Sequence, residues 1–256
     1  MTETVRPGFR AALSNRTIQM TLGALALIAV AGAGTALGMQ SGGSVGAAEK
    51  AAIERIVRDY ILEHPEIIPE AVERLQAKRM TDTIDASRKA IETPYAGAWE
   101  GAAQGDVTLV EFFDYACGYC RASLSDLARL VSEDKKLKIV YRELPILSDD
   151  SADAAKVSLL AAEKGQYMPF HRALYAAGKV TRDSILKAAA SAGISRAEAE
   201  AAIASSKYDG EIQSNIALAQ RLQASGTPTF VIGGQVLNGA VGYDALKKAV
   251  ETARAK

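Results

Sequence analysis

The chain has 256 residues, with 30 basic side chains set against 30 acidic ones for a formal net charge of zero, and only two cysteines and two histidines. Zero net charge and the lack of a Lys/Arg cluster argue against nucleic-acid binding. A structural zinc site needs four ligands, which two cysteines and two isolated histidines at no ligand spacing do not supply, so no metal is expected. No Gly-rich phosphate loop occurs, and no cofactor is implied.

In chain order, the first feature is Ile18 to Met39, a run of 22 residues without a charged side chain. As a helix at about 1.5 Å per residue it covers roughly 33 Å, enough for a bilayer core. Arg6, Arg10 and Arg16 precede it and no basic residue follows until Lys50, which predicts a cytoplasmic N-terminus with the rest of the chain outside. Residues 1–40 are therefore read as a cytoplasmic tail plus a transmembrane anchor. The alternative is a signal sequence cleaved near Ala36-Leu37-Gly38, a small-x-small site. The Gly/Ser-rich stretch from Ser41 to Gly46 suits a linker.

Residues 47–93 are read as a helical extension. Ile53, Ile56, Val57, Tyr60 and Ile61 recur on one helical face, and after His64-Pro65 the series Ile68, Val72, Leu75 resumes it. Two short amphipathic helices cannot bury such stripes on each other alone, so they either pack on the following domain or associate into a homo-oligomer.

Residues 100–256 carry an α/β pattern. Val107 to Phe113 reads as a buried strand in which Glu111 has no obvious solvent face. A carboxylate so placed raises its pKa, and it could take and return a proton. Asp114 is read as polar loop. Cys117-Gly118-Tyr119-Cys120 then holds both cysteines at the head of a predicted helix, Gly118 to about Val131, where unpaired N–H groups and the helix dipole favour a sulfur anion. A disulfide across two intervening residues closes too small a loop to stabilise a fold, which leaves redox chemistry.

A second strand is expected over Leu137 to Glu143, and an alanine-rich helical segment over about 150–208, with Thr181 as a cap and Ser195 to Glu198 as a capping box. His171 and His64 are read as cap or surface residues, and Trp99 as core. Gly226-Thr227-Pro228-Thr229-Phe230 opens a strand, a Gly233-Gly234 hairpin and a second strand, followed by a helix from Tyr243 to Ala253.

Glu111-Phe112-Phe113-Asp114-Tyr115 leading into the C-x-Y-C motif, with Gly-Thr-Pro-Thr-Phe about a hundred residues later, resembles the DsbA-like branch of the thioredoxin superfamily. The resemblance covers about Asp106 to the C-terminus. It implies a thioredoxin fold with an inserted helical subdomain, preceded here by the helical extension and the membrane segment. It further implies a protein thiol-disulfide oxidoreductase in which Cys117 is the nucleophile, Cys120 resolves the mixed disulfide and Glu111 is the buried acid. Pro228 would be cis and, with Thr227, Gly118 and Tyr119, would contact substrate.

The implied partners are thiol- or disulfide-containing protein clients and a membrane or periplasmic redox partner, and the implied compartment is the periplasm. Oxidases of the family carry Pro-His between the cysteines, whereas Gly118-Tyr119 is closer to the isomerase type, so isomerase or reductase is expected, with oxidase as the alternative. A client-binding chaperone module with incidental cysteines is the rival of another class.

Overall fold

The computed structural model describes residues 46–255. The anchor or signal segment expected at Ile18 to Met39 lies outside the described residues. Among the described residues no helix is long and apolar enough to cross a membrane. Two compact units divide the chain between Ile68 and Pro69.

In the first unit, helix α1 (Ala47–Glu63) has no buried residue. Ile53, Ile56, Val57 and Tyr60, at the i, i+3, i+4, i+7 spacing of one face, are all largely exposed. The helix stops at His64, whose backbone N–H still donates to the Tyr60 carbonyl, because Pro65 follows and restricts the residue before it.

Helix α2 (Ile67–Glu92) follows, with Pro69 in its first turn, where a missing N–H costs nothing. Its early apolar residues Val72 and Leu75 are exposed, but Ile84 and Ile91 further along are fully buried. The boundary between the two units lies at Ile68, inside the helical stretch expected over residues 47–93. The last two turns of α2 belong to the core of the second unit.

That unit is built on a five-stranded sheet in the order β1-β3-β2-β4-β5. The strands are β1 (Trp99–Gly101), β2 (Val107–Phe113), β3 (Leu137–Glu143), β4 (Thr229–Ile232) and β5 (Gln235–Asn238). Only β2 and β3 run parallel; β1 lies antiparallel to β3, and β4 antiparallel to β2 and β5. Parallel pairing requires a crossover, and helix α3 (Gly118–Glu133) supplies it.

Side-chain alternation sends β2 into two cores. Val110 and Phe112 join Val140, Val231, Ile84 and Ile91 on one face, where helix α8 (Asp209–Arg221) adds Leu218 and Ala219. Leu109 and Phe113 join Ile139, Phe230 and Ile232 on the other, covered by Leu127 of α3 and by Leu246 and Val250 of helix α9 (Tyr243–Arg254). Burial on both faces is why β2 reads as an unbroken apolar run.

Between β3 and α8 lie helices α4 (Asp149–Glu163), α5 (Tyr167–Ala176), α6 (Arg182–Ser191) and α7 (Arg196–Ala204), the expected helical insertion. Thr181 caps α6 and Ser195 with Glu198 forms the capping box of α7, both as expected.

The two hairpin glycines serve different needs. Gly233 has φ +59°, which a tight turn between twisted strands requires. Gly234 lies under α2, where a Cβ would come within 2.9 Å of the Thr81 side chain. Thr81 Oγ1 donates to the Gly234 carbonyl at 3.0 Å, and Arg88 Nη2 donates to that of Gly233 at 3.2 Å, so α2 is tied across the hairpin.

β1 was not foreseen, since three residues at a sheet edge carry no periodicity. Trp99 on it is only partly buried, packing at the margin of the core, and its ring lies under the Lys138 ammonium.

Candidate active site

β2 ends at Phe113, and the chain turns through Asp114 to Ala116 before α3 begins. Cys117 occupies the N-cap of α3 with extended backbone (φ −79°, ψ 114°), and its sulfur accepts the Cys120 backbone N–H at 3.3 Å. A cysteine thus does what Ser or Asp does at most helix starts. Both cysteines are free thiols, Cys117 at 6% and Cys120 at 1% exposure. Tyr119 between them stands 71% exposed.

The peptide bond Thr227-Pro228 is cis, as the resemblance implies. β4 runs antiparallel to β2, pairing Thr229 with Phe112, so its start lies at the end of β2 that carries the cysteines. Cys117 Sγ donates to the Thr227 carbonyl at 3.2 Å across a sequence separation of 110. Thr227 Oγ1 is buried and has no partner among the described residues. The structure brings Cys117, Gly118, Tyr119, Cys120, Thr227 and Pro228 together.

Glu111 sits beneath them, on the β2 face that also carries Leu109 and Phe113, and is 1% exposed. Its Oε1 has no partner among the described residues. Burial pushes its carboxyl well above the usual 4.5, and the charges of Cys117 and Glu100 add to this. Burial likewise pushes the Cys120 thiol up, with the nearby Glu111 charge contributing. The Glu111 charge thus opposes ionisation of Cys120, and burial favours the protonated form of both groups.

The Glu111 carboxyl has a consequence for stability. Its folded-state pKa lies above the unfolded value, so unfolding releases a proton in the window between the two. Its cost is absent below pH 4.5 and grows as pH rises through that window. Glu111→Gln, which does not titrate, is expected to melt above the wild type at pH 8 and level with it at pH 4. Thermal unfolding at the two pH values checks this; an equal gap at both would contradict a buried, proton-holding carboxyl.

Two expectations need correction. His171 is not a cap or surface residue: it lies inside α5 with no exposure, its Nδ1 within 3.0 Å of the Tyr115 hydroxyl and its ring packed among Phe113, Tyr141, Tyr167 and Tyr175. Burial and the adjacent Arg172 lower its pKa to about 3, so it is a neutral imidazole at any working pH.

Asp114 is not loose loop either. It is 1% exposed, its Oδ1 accepts the Ala116 N–H at 2.8 Å, and its Oδ2 accepts those of Ile146 and Leu147 at 2.8 and 2.9 Å. Its carbonyl accepts the Cys117 N–H at 3.0 Å and the Tyr175 hydroxyl at 3.1 Å. Three of these five donors come from residues distant in the chain, which is why its sequence position gave no sign of the role.

Arg142 was also missed. It is buried on β3 and reaches the end of α2, donating to the carbonyls of Ala90, Ile91 and Thr93, with Glu211 Oε1 at 3.0 Å and Asn215 Oδ1 at 3.1 Å on its other side.

Comparison with known proteins finds relatives of this fold. Residues 108–251 match the family model of the DSBA-like thioredoxin domain, and residues 49–80 match that of the copper resistance protein ScsC N-terminal domain. A thioredoxin-like oxidoreductase from Silicibacter pomeroyi is 36% identical, with TM-score 0.63 over 66% of this chain and 98% of that one. A linker-deletion mutant of Proteus mirabilis ScsC is 26% identical, with TM-score 0.63 over 84% of this chain and 99% of that one. The thiol-disulfide exchange protein alpha-DsbA2 from Wolbachia pipientis is 28% identical, with TM-score 0.63 over 70% and 97%.

The chain is also 28% identical over 156 residues to a Na(+)/H(+) antiporter NhaA 3 of Salinispora tropica, covering 60% of this chain and 24% of that protein. It spans about a quarter of the length of the curated relatives it matches. With more than half of its 256 residues inside the matched domain, the chain belongs to the DSBA-like thioredoxin domain family and is a thiol-disulfide oxidoreductase.

Proposed function

We propose that the chain is a periplasmic protein disulfide isomerase or reductase working through Cys117 and Cys120. The Cys117 thiolate attacks a client disulfide, forming a mixed disulfide and expelling the other client sulfur as a thiolate. In reduction, Cys120 gives its proton to the ionised form of Glu111 and attacks the Cys117 sulfur, which leaves an oxidised Cys117–Cys120 pair and a client dithiol. A thiol of the redox partner must then reduce the pair. In isomerisation a second client thiol attacks first, so the client's bonds are rearranged and Cys117 returns to its thiolate with no net oxidation. Thr227, Pro228, Gly118 and Tyr119 supply the surface on which the client strand lies.

The observation that carries the isomerase or reductase reading is the lack of an imidazolium at the thiol. Gly118-Tyr119 offers none, and the one buried histidine, His171, is neutral and bonded to Tyr115. A cation beside Cys117 would stabilise the reduced form and make the disulfide a strong oxidant, about 30 mV for each 1.4 kcal/mol. The periplasm is supported by the arginines ahead of Ile18 to Met39, with a membrane anchor there, or cleavage, as the means of export. It is an oxidising compartment in which such exchange has use.

Self-association is supported by the exposed apolar residues of α1 and of the start of α2. Linked catalytic sites raise the effective concentration for a second encounter with one client. Alkylation trapping in the cell is expected to find Cys117 and Cys120 mainly reduced; a mainly oxidised pair would favour an oxidase. Ile56→Glu combined with Val72→Glu, both at exposed positions, is expected to give a monomer by light scattering that reduces a simple disulfide as before but loses unscrambling of a multi-disulfide protein. Unscrambling that survives in a monomer would remove the oligomer from the mechanism.

A further inference from the structure

The strand order places β2 between β3 and β4, so the Cys117 end of β2 has two flanks. On the β4 side stand Thr227 and the cis proline. On the β3 side stands the segment Leu144 to Ser148, which joins β3 to α4, and it is lashed to the active-site turn by three hydrogen bonds. Leu144 N–H donates to the Phe113 carbonyl at 2.8 Å, and Ile146 and Leu147 N–H to Asp114 Oδ2 at 2.8 and 2.9 Å.

Held in this way, Ile146 and Leu147 are 50% and 53% exposed. Two large aliphatic side chains in a segment fixed by a buried carboxylate are not a loose loop tip. Asp114 couples them to the backbone of the active-site turn, since its carbonyl also accepts the Cys117 N–H at 3.0 Å. A client joined to Cys117 through sulfur must lie across the end of β2, and so past both flanks.

We propose that Ile146 and Leu147 are a second docking flank for protein clients, receiving an apolar side chain next to the client's reacting cysteine, and that Asp114 positions them. This rests on Cys117 being the attacking sulfur. The occupant is thus non-native chain: in folded proteins a cysteine between aliphatic residues is mostly buried, whereas in a misfolded client it is open to capture.

Two peptides test this, one with leucine and one with serine on both sides of a single cysteine, each a mixed disulfide with a chromophoric thiol. Attack by Cys117 forms the Cys117–peptide disulfide and releases the chromophore as a thiolate. The wild type is expected to prefer the leucine peptide by about tenfold in kcat/KM, equivalent to about 1.4 kcal/mol. Ile146→Ser with Leu147→Ser is expected to lose most of that preference, while circular dichroism confirms the fold. Asp114→Asn, which offers Ile146 and Leu147 one acceptor fewer while leaving their side chains in place, is expected to lose it too. Because the readout is a ratio, any change in the reactivity of Cys117 cancels.

A wild type reacting equally fast with both peptides would overturn the proposal, as would a preference unchanged in the double variant. A preference intact in Asp114→Asn would overturn the positioning role. Failure of the wild type to react with either peptide would overturn the assignment of Cys117 as well, and so is distinguishable.

Discussion

Cys117→Ser is expected to reduce disulfide exchange to the uncatalysed background, whereas Cys120→Ser is expected to accumulate covalent complexes with clients. The two thiols differ in what surrounds them. Cys117 caps α3 and, at 6% exposure, lies against the Thr227 carbonyl, while Cys120 is at 1% exposure and its thiol is pushed up by burial and by Glu111. A sulfur held as thiol cannot open the reaction, but once a mixed disulfide exists next to it, proximity makes it the resolving group. Non-reducing gels of the two variants after incubation with an oxidised client check the assignment. Complexes trapped by Cys117→Ser, or iodoacetamide labelling both native thiols at equal rates, would reverse it.

Arg142→Met is expected to destabilise the catalytic unit by about 3 kcal/mol, the lower end of the range for breaking a buried charged network, which for a unit of this size is roughly 6–12 °C in Tm. Exchanging a buried ion pair for apolar side chains is often neutral, but here most partners cannot be exchanged. The carbonyls of Ala90, Ile91 and Thr93 are backbone groups at and just beyond the end of α2, and a helix end has no internal donors for them. Glu211 is partly exposed and can turn to water. Methionine keeps most of the volume, so the loss reads the hydrogen bonds. An unchanged Tm would mean that water replaces the guanidinium.

The central strand and the site around it were legible because their signals are local. An unbroken apolar run from Val107 to Phe113 marks a strand buried on both faces, and Glu111 inside it could not escape burial. The cysteine pair announces itself by spacing, and the cis proline by the motif around it. Asp114 and Arg142 were not legible, since most of their partners lie 32 to 73 residues away and no pattern at either position encodes them. His171 was legible in principle: Tyr167, Phe170, His171, Leu174 and Tyr175 fall on one helical face, all buried, and that spacing outweighs the neighbouring proline. The division of α2 into an exposed start and a buried end was hidden for another reason. Its apolar stripe continues through α2, but only the later part meets the sheet.

The sulfur of Cys117 does two jobs, since the atom that exchanges bonds with clients also closes the first turn of α3 through the Cys120 N–H. An anionic or thiol sulfur accepts that hydrogen bond, and a disulfide sulfur accepts it less well. Disulfide formation at Cys117 is therefore expected to weaken the bond that closes the first turn, which makes that bond a gauge of oxidation state. The turn that gauge governs also carries Tyr119, 71% exposed beside the thiol. The surface offered to a client is therefore expected to differ slightly between the reduced and the oxidised site.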